Sequence, residues 1–308
     1  MYTRIHFFIA VIVSGVVFHP SFVRAQGSLT PPGAPAPTMK TLAQIEARTP
    51  IASAPFTIAS SGSYYLTTNL TVSAGNAITI NANNVRLDLN GFTISSTENP
   101  ATLGCGILLG GNGAVTNITI VNGFIQSGVT NNNVGIFSGS GLGYGISGAF
   151  AICTRVSGVS VSGCLVNGIE LGVGNSVVES CTVNTAGTYG IVAQSVFDST
   201  AVNCETCAVY AATANNCSGM SPTAGGIGIY AFIANNCVGN TTGGIGVSAS
   251  TANNCYGYDT GDGEGMVSEI AIGCISSSIS GKGLSANIAN SCYSYPDDAN
   301  IANKYNMP

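Results

Sequence analysis

The chain has 308 residues, of which 8 are Lys or Arg, 13 are Asp or Glu and only 2 are His. Charged residues make up 7% of the sequence, whereas about 25% is usual for a soluble domain. Such a low charge excludes an ordinary disordered region, which combines high charge with few apolar residues. The excess of acidic over basic residues also excludes a nucleic-acid-binding protein of the usual basic kind.

The first 25 residues have the pattern of a secretory signal peptide. Arg4 precedes an apolar run from Phe7 to Phe18, and the segment ends in Val-Arg-Ala at residues 23–25. A charged start, a short apolar middle and a small final residue are typical of a cleaved signal, and the run is shorter than the roughly 18 residues of a membrane span. We therefore expect a protein that is secreted or held in the cell envelope, with an uncleaved N-terminal anchor as the alternative.

Signal cleavage has a chemical consequence for catalysis. Both histidines, His6 and His19, lie in the signal segment, together with two of the eight basic residues. The mature chain would carry six basic and thirteen acidic residues, for a formal charge of −7. Without histidine it cannot form a Ser-His-Asp triad, a Cys-His nucleophile pair or a His-ligated zinc site.

The segment after the signal predicts a linker followed by a cap. Residues 26–37 contain four prolines, a composition that favours an extended, semi-rigid linker. Next, Met39, Leu42 and Ile45 fall on one face of a short amphipathic helix or turn that a Thr-Pro pair ends. We predict an N-terminal cap at 38–66, in which this helix covers the open end of the first coil.

From about residue 56 the sequence changes to short alternating apolar runs separated by Gly and Asn, and it then repeats. A phrase ending in Ala-Asn-Asn-Cys occupies residues 226–237 and recurs at 244–255, an offset of 18 residues. Each repeat is too short for a helix or for a propeller blade of about 40 residues. The pattern predicts an all-β fold, a parallel β-helix (solenoid) over 67–292 with one repeat per coil, followed by a C-terminal tail at 293–308.

Three segments, at 37–51, 62–71 and 78–94, resemble the opening of a family of bacterial secreted right-handed β-helix repeat proteins. The resemblance covers about residues 37–125, and repeats of the same style continue to residue 292. It implies a right-handed parallel β-helix of the pectate-lyase-like superfamily, and export. It implies no activity, because the family carries none that is established.

The cysteines are expected to mark the coils. Nine of the eleven are predicted to end successive coils: Cys153, Cys164, Cys181, Cys204, Cys217, Cys237, Cys255, Cys274 and Cys292. Disulfides are the default in an exported chain, but equivalent positions about 4.8 Å apart exceed the Cβ separation of about 3.8 Å that a disulfide prefers. We expect mostly buried thiols, with one or two disulfides as the alternative, and no redox site at the CxxC pair Cys204 and Cys207.

Two further expectations concern the regular coils. The side chains predicted to be buried are Ile227, Ile229, Ile245 and Val247. The thiols predicted to stack in one row are those of Cys237, Cys255, Cys274 and Cys292.

The acidic residues do not pair up across the predicted coils. Glu170 aligns with Val192 of the next coil and Glu179 aligns with Val202, while Asp198 and Glu205 have no acidic partner. The three arginines of the mature chain, at positions 48, 86 and 155, lie far apart in sequence. Glycosidases need two carboxylates at a defined separation, so we predict no catalytic residues, and equally no cofactor-binding or metal-ligating residues.

Two weaker candidate sites remain. The loop Asp259–Gly265 is the densest group of acids and is either a calcium-binding loop or a solvated turn, although its spacing matches no established calcium motif. Asp297 and Asp298 are expected to form a soluble tail. Tyrosines such as Tyr189, Tyr230 and Tyr256 either form a stripe that stacks on sugars or fill gaps between coils.

These features favour an exported, non-catalytic β-helix with a structural, adhesive or surface-binding role. A polysaccharide or a cell-surface glycan is the expected partner. The alternative is a carbohydrate-active enzyme of β-helix type, either a polysaccharide lyase or a glycosidase. A rigid ladder that binds ice or glycan is a third hypothesis, although only isolated pairs of threonines occur.

Overall fold

The computed structural model describes residues 47–111, 113–132, 135–172, 174–296 and 300–307. The predicted signal peptide at 1–25, the linker at 26–37 and the helix face of Met39, Leu42 and Ile45 lie outside the described residues, as do Asp297 and Asp298.

The described residues are all-β and contain no helix. Their strands, in chain order, are β1 (Thr49–Ile51), β2 (Phe56–Ile58), β3 (Gly62–Leu66), β4 (Leu70–Val72), β5 (Ile78–Ile80), β6 (Val85–Asp88), β7 (Thr93–Ser96), β8 (Cys105–Leu109), β9 (Thr116–Gln126), β10 (Gly128–Asn131), β11 (Phe137–Ser140), β12 (Tyr144–Gly148), β13 (Ile152–Cys164), β14 (Ile169–Leu171), β15 (Val177–Glu179), β16 (Thr182–Ala186), β17 (Tyr189–Phe197), β18 (Thr200–Cys204), β19 (Cys207–Asn215), β20 (Ser218–Ser221), β21 (Ile227–Asn235), β22 (Val238–Thr241), β23 (Ile245–Asn253), β24 (Tyr256–Asp259), β25 (Glu264–Ile272), β26 (Ile275–Ser278), β27 (Leu284–Asn290), β28 (Tyr293–Tyr295) and β29 (Asn300–Tyr305).

Parallel pairing between successive coils arranges all of these strands except β10 and β11 in three stacks, which we call face 1, face 2 and face 3. Face 1 runs through β2, β5, β8, β12, β14 and the first halves of β17, β19, β21, β23, β25, β27 and β29. Face 2 starts at β1, β3 and β6 and continues through the first halves of β9 and β13 and through β15. From β17 onward it consists of the second halves of the same long strands. Face 3 runs from β4 to β28. The prediction of a right-handed parallel β-helix is confirmed, with about 13 turns.

One row of inward side chains on face 2 shows how the interior changes along the axis. We call it the taper row, and its members are Tyr64, Leu87, Ile120, Val156, Val178, Val196, Ala214, Ala234, Ala252, Ala271, Ala289 and Lys304. From Leu87 to Ala289 every member is fully buried. Because protein interiors are generally close-packed, the falling side-chain volume indicates that the coils become narrower beneath this row towards the C-terminus.

The bend between face 2 and face 3 repeats in ten coils. A residue with φ between 47° and 62° stands there each time, and we call these residues the corner row: Asn122, Gly158, Ser180, Asp198, Asn216, Asn236, Asn254, Gly273, Ser291 and Asn306. Gly and Asn adopt this left-handed conformation at low cost, and short polar side chains such as Asp and Ser can support it by local hydrogen bonds. The Gly and Asn bend signals of the sequence correspond to this corner.

The residue after each later corner points inward and carries a thiol or a hydroxyl. We call this the thiol row: Cys181, Ser199, Cys217, Cys237, Cys255, Cys274 and Cys292. The predicted stacking of the last four cysteines is confirmed. The expectation that nine cysteines mark successive coils is wrong for three of them, because Cys164 and Cys204 share a different row on face 3, with Ala186 between them, and Cys153 is exposed.

The predicted burial is correct for two of the four apolar side chains of the regular coils. Ile229 and Val247 are fully buried, whereas Ile227 and Ile245 are only half-buried. The cause lies in the glycine that follows each of the latter, since a Cβ at Gly228 would come within 2.8 Å of the Cα of Gly239 on face 3. The backbone turns where face 1 contacts face 3. The alternation of buried and exposed side chains along the strand starts only after that glycine.

The β-helix extends beyond the limits of 67–292 that the sequence suggested. At the N-terminal side, β1 pairs with β3, so residues 49–66 belong to the first coils, and Ala47 and Arg48 are not helical. At the C-terminal side, β28 and β29 continue the ladder to Tyr305. There the exposed Lys304 takes the place of alanine in the taper row, and a lysine on the last strand of a sheet opposes the addition of a further strand.

An insertion between β9 and β12 breaks the repeat. Strands β10 and β11 form an antiparallel pair rather than a coil. The side-chain amide of Asn131 donates to the Oδ1 of Asn203 at 2.9 Å, although the two residues are 72 positions apart. In turn, Asn203 donates to the hydroxyl of Thr185 at 2.8 Å. The hairpin therefore packs against later coils through side-chain amide hydrogen bonds. The repeat pattern of the sequence did not predict this contact.

Candidate binding groove

Each of the acidic residues considered in the sequence analysis contacts its own neighbours, and none of them contacts another of these acids. Glu170 pairs in register with Val192, as predicted, and accepts a hydrogen bond of 3.0 Å from the amide of Asn167. Glu179 is in register with Phe197 rather than Val202, and it forms a salt bridge with Arg155.

The remaining two acids are also apart from each other. Asp198 is in the corner row and accepts a hydrogen bond of 3.0 Å from the amide of Asn216. Glu205 lies in the turn before β19, where its carbonyl oxygen accepts from the hydroxyl of Ser221 at 3.0 Å. The four acids therefore do not converge, and the described residues contain no cluster of three or more His, Cys, Asp or Glu side chains suited to a metal ion.

Asp259 has a role that the sequence did not show. Its carboxylate is fully buried at the end of β24. Both oxygens accept hydrogen bonds: Oδ1 from Thr241 Oγ1 (2.9 Å), Gly243 N (2.6 Å) and Gly244 N (3.1 Å), and Oδ2 from Gly261 N (2.8 Å), Gly263 N (2.9 Å) and Ser278 Oγ (3.5 Å). Both oxygens of this carboxylate are therefore occupied by hydrogen-bond donors and are not available to bind a calcium ion. Asp259 instead organises the turns of two successive coils.

The buried thiols are held as weak donors. The Sγ of Cys255 lies 3.3 Å from the carbonyl oxygen of Asn253 and 3.4 Å from that of Ala234 in the preceding coil. Thiols of this row also accept hydrogen bonds: the backbone N–H of Cys255 donates to the Sγ of Cys274 in the next coil, with 3.5 Å between N and Sγ. Hydrogen bonding to the thiol of the preceding coil, with burial adding to it, raises the pKa of Cys255 and Cys274 to about 11.

Both thiols of the CxxC pair are shielded from solvent and hard to deprotonate. Both cysteines are buried, and burial raises the pKa of Cys207 to about 12 and raises that of Cys204 as well. Reactive cysteines have a lowered pKa and an accessible sulfur. All eleven cysteines lie in the described part of the chain, and all are free thiols.

The tyrosines form a ladder on face 1, but with a different membership from the predicted one. The rings of Tyr210 and Tyr230 are stacked, with centroids 4.9 Å apart and planes 3° from parallel. Tyr189 meets Tyr210 edge-on, with ring centroids 6.0 Å apart and planes at 74°. Tyr256 is on face 3, beside Tyr258, and is not part of the ladder. Tyr210 could have been found in the sequence, because it precedes Tyr230 by 20 residues, one coil period.

A groove of about 490 Å³ runs along the axis beside this ladder. One wall is the outward row of Tyr210, Tyr230, Ser248 and Val267. The other wall, two residues further along each strand, consists of Ala212, Phe232, Ser250 and Glu269. The floor is made of small residues: Ala193, Ala211, Ala231, Ala249 and Ser268.

The position of Tyr230 in the groove makes it suitable for binding. One face of its ring is covered by Tyr210, but the next position in the row is Ser248, whose side chain is too small to cover the other face. Tyr230 is 41% exposed and Phe232, on the opposite wall, is 64% exposed. A flat ring of a ligand can therefore continue the stack above Ser248, between the two walls.

The groove contains one carboxylate. Of its lining residues only Glu269 is ionisable apart from the tyrosines, and no Lys or Arg lines it. Comparison of the chain with protein families, curated proteins and solved structures finds no match. No helix among the described residues has the length and apolarity needed to cross a bilayer.

Proposed function

We propose that this protein is an exported, non-catalytic β-helix that binds an extended glycan in the groove of face 1. The observation that carries the proposal is the uncovered ring face of Tyr230, which opens onto a groove with hydroxyl groups on one wall and Phe232 on the other. Tyrosine offers a flat apolar face together with a polar tip, a combination that suits the alternating apolar and hydroxyl surfaces of sugars.

The form of the groove suits a polymer. Its walls repeat once per coil, so equivalent positions recur about every 4.8 Å along the axis. Each wall residue is fixed by a strand that is paired on both sides, as β21 is with β19 and β23. A rigid surface of this kind loses little conformational entropy when a ligand binds.

Export and the relationship to bacterial β-helix proteins of the pectate-lyase-like superfamily belong to the same proposal. They are supported by the charged and apolar N-terminal segment and by the resemblance of residues 37–125. The parallel coils that follow agree with that resemblance in architecture.

The enzymatic alternative receives less support from the groove. Glycoside hydrolysis ordinarily uses two carboxylates that flank the scissile bond. Glu269 is the only carboxylate among the lining residues, and the nearest acid on the same strand, Glu264, forms a salt bridge of 3.8 Å with Lys282. The groove therefore favours binding over cleavage.

The test is affinity electrophoresis of the folded protein through gels that contain soluble polysaccharides. Retardation should occur with at least one polymer, and Tyr230→Ala should weaken it about tenfold, as expected for loss of a stacking contact of roughly 1.4 kcal/mol. Tyr256→Ala is the matched control, because Tyr256 is similarly exposed, at 38%, but lies on face 3. Absence of retardation by every polymer, or an equal loss in both variants, would overturn the proposal. Release of reducing ends would favour the enzyme instead.

A further inference from the structure

One carboxylate lies in the groove at its C-terminal end, and a second lies beyond its other end. Glu269 is exposed on one wall at the C-terminal end. Glu170 lies on the outward row of the other wall, two coils before Tyr210, because Glu170 is in register with Val192 and Val192 with Tyr210. An extended polymer that lies along the axis and covers the tyrosine ladder would therefore pass a carboxylate at each end.

The basic residues lie elsewhere. Arg48 contacts Asp88 at 3.2 Å, Arg155 pairs with Glu179 on face 2, and Lys282 faces Glu264. Lys304 is in the last coil, on face 2. Among the described residues no Lys or Arg lines the groove, so nothing there offers a countercharge to an anionic ligand.

We infer that the groove selects uncharged polysaccharides and rejects polyanionic ones, and that Glu269 is a specificity-determining residue. This inference rests on the proposed function. A carboxylate of a uronate unit placed near Glu269 is repelled, while the hydroxyls of a neutral unit can bond to Ser248 and Ser250. The repulsion acts within about 8 to 10 Å at moderate salt and is screened as the ionic strength rises.

The experiment compares pairs of polymers that share a backbone and differ chiefly in charge. Polygalacturonate is tested against its methyl ester, and carboxymethyl cellulose against hydroxyethyl cellulose, by affinity electrophoresis at low salt and at 1 M salt. The uncharged member of a retained pair should bind at least about fivefold more tightly, the factor expected for one like-charge contact in water. This preference should largely disappear at about 1 M salt.

Variants locate the preference. Glu269→Gln should reduce the preference for the uncharged polymer of a pair, and Glu269→Lys should reverse that preference. Binding of the uncharged polymer itself should stay nearly constant in both variants. Glu264→Gln is the control, because it removes the same charge from the same strand, outside the groove. Equal or tighter binding of the charged polymer by the unmodified protein would overturn this inference and leave the proposed function standing. Failure to retain any of the four polymers would instead count against the proposed function, and with it this inference.

Discussion

The early and late coils fill the same row of the interior with very different side chains. In the taper row the early positions are Leu87 and Ile120, whereas five successive late positions, from Ala214 to Ala289, are alanine. The late coils bury less apolar volume at this position, but they add hydrogen-bonded rows, such as the thiol row and the contacts of Asp259. The early coils therefore place more apolar volume in this row, while the late coils add polar groups that satisfy the backbone at their bends.

The largest effect is expected at Asp259 in the narrow coils. Asp259→Ala would leave four backbone N–H groups and the hydroxyl of Thr241 without their acceptor. Since each buried group that loses its partner costs about 1 to 3 kcal/mol, we expect a loss of about 4 kcal/mol or more in the free energy of unfolding, measured by urea denaturation. Asp262→Ala, an exposed position of the same loop, should change it by less than about 0.5 kcal/mol. Similar losses in both variants would show that Asp259 does not organise the turns.

The second prediction exchanges side chains within the taper row. Ile120→Ala in a wide coil should lower the free energy of unfolding by about 2 to 5 kcal/mol, because it removes buried methyl groups and leaves a cavity. Ala252→Ile in a narrow coil should lower it by about 1 to 3 kcal/mol, because the added carbons have no space. Thermal or urea denaturation measures both. If Ala252→Ile is neutral or stabilising, the late coils are not narrow at this row.

The smallest effect is expected in the thiol row. Cys274→Ser keeps a small donor and acceptor, as Ser199 does in the same row, where its hydroxyl donates to the Phe197 carbonyl at 2.7 Å and accepts from the N–H of Cys181 at 3.1 Å. We therefore expect a change below about 1 kcal/mol. Cys274→Val should cost about 1 to 2 kcal/mol, because the N–H of Cys255 then loses its acceptor. The reverse order would show that the row serves only as apolar filling.

This row also predicts a dependence on alkaline pH. Folding raises the pKa of Cys255 and Cys274 from 9.0 to about 11, so the folded state favours the protonated thiols. Their contribution to stability is complete below pH 9 and is lost as the pH rises from 9 to 11. Urea denaturation in the presence of a reductant should show this loss. Between neutral pH and pH 10, the free energy of unfolding should fall less in Cys274→Ser than in the unmodified protein. An identical decrease in both proteins would assign the alkaline loss to other groups.

Much of the fold could be predicted because each coil repeats a local pattern. The stacking of Cys237, Cys255, Cys274 and Cys292 followed from the period of 18 to 19 residues alone. The burial of Ile227 and Ile245 was predicted incorrectly because it depends on the contact of Gly228 and Gly246 with face 3, which alternation does not report. For the site, Tyr189 and Tyr230 were recognised, but Phe232 and the groove were not, since a concave wall forms only when neighbouring strands are placed side by side.

By itself the sequence determined the coil period, the places where the chain bends and the side chains that stack, because each of these depends on residue types recurring at a fixed spacing. The tertiary structure decided the roles of single residues. Asp259 became the acceptor for two turns instead of a calcium ligand, Tyr256 was separated from the tyrosine ladder, and the hairpin of β10 and β11 was placed against Asn203. These outcomes depend on contacts between residues that are one or more coils apart, and bends of the backbone set the directions of their side chains.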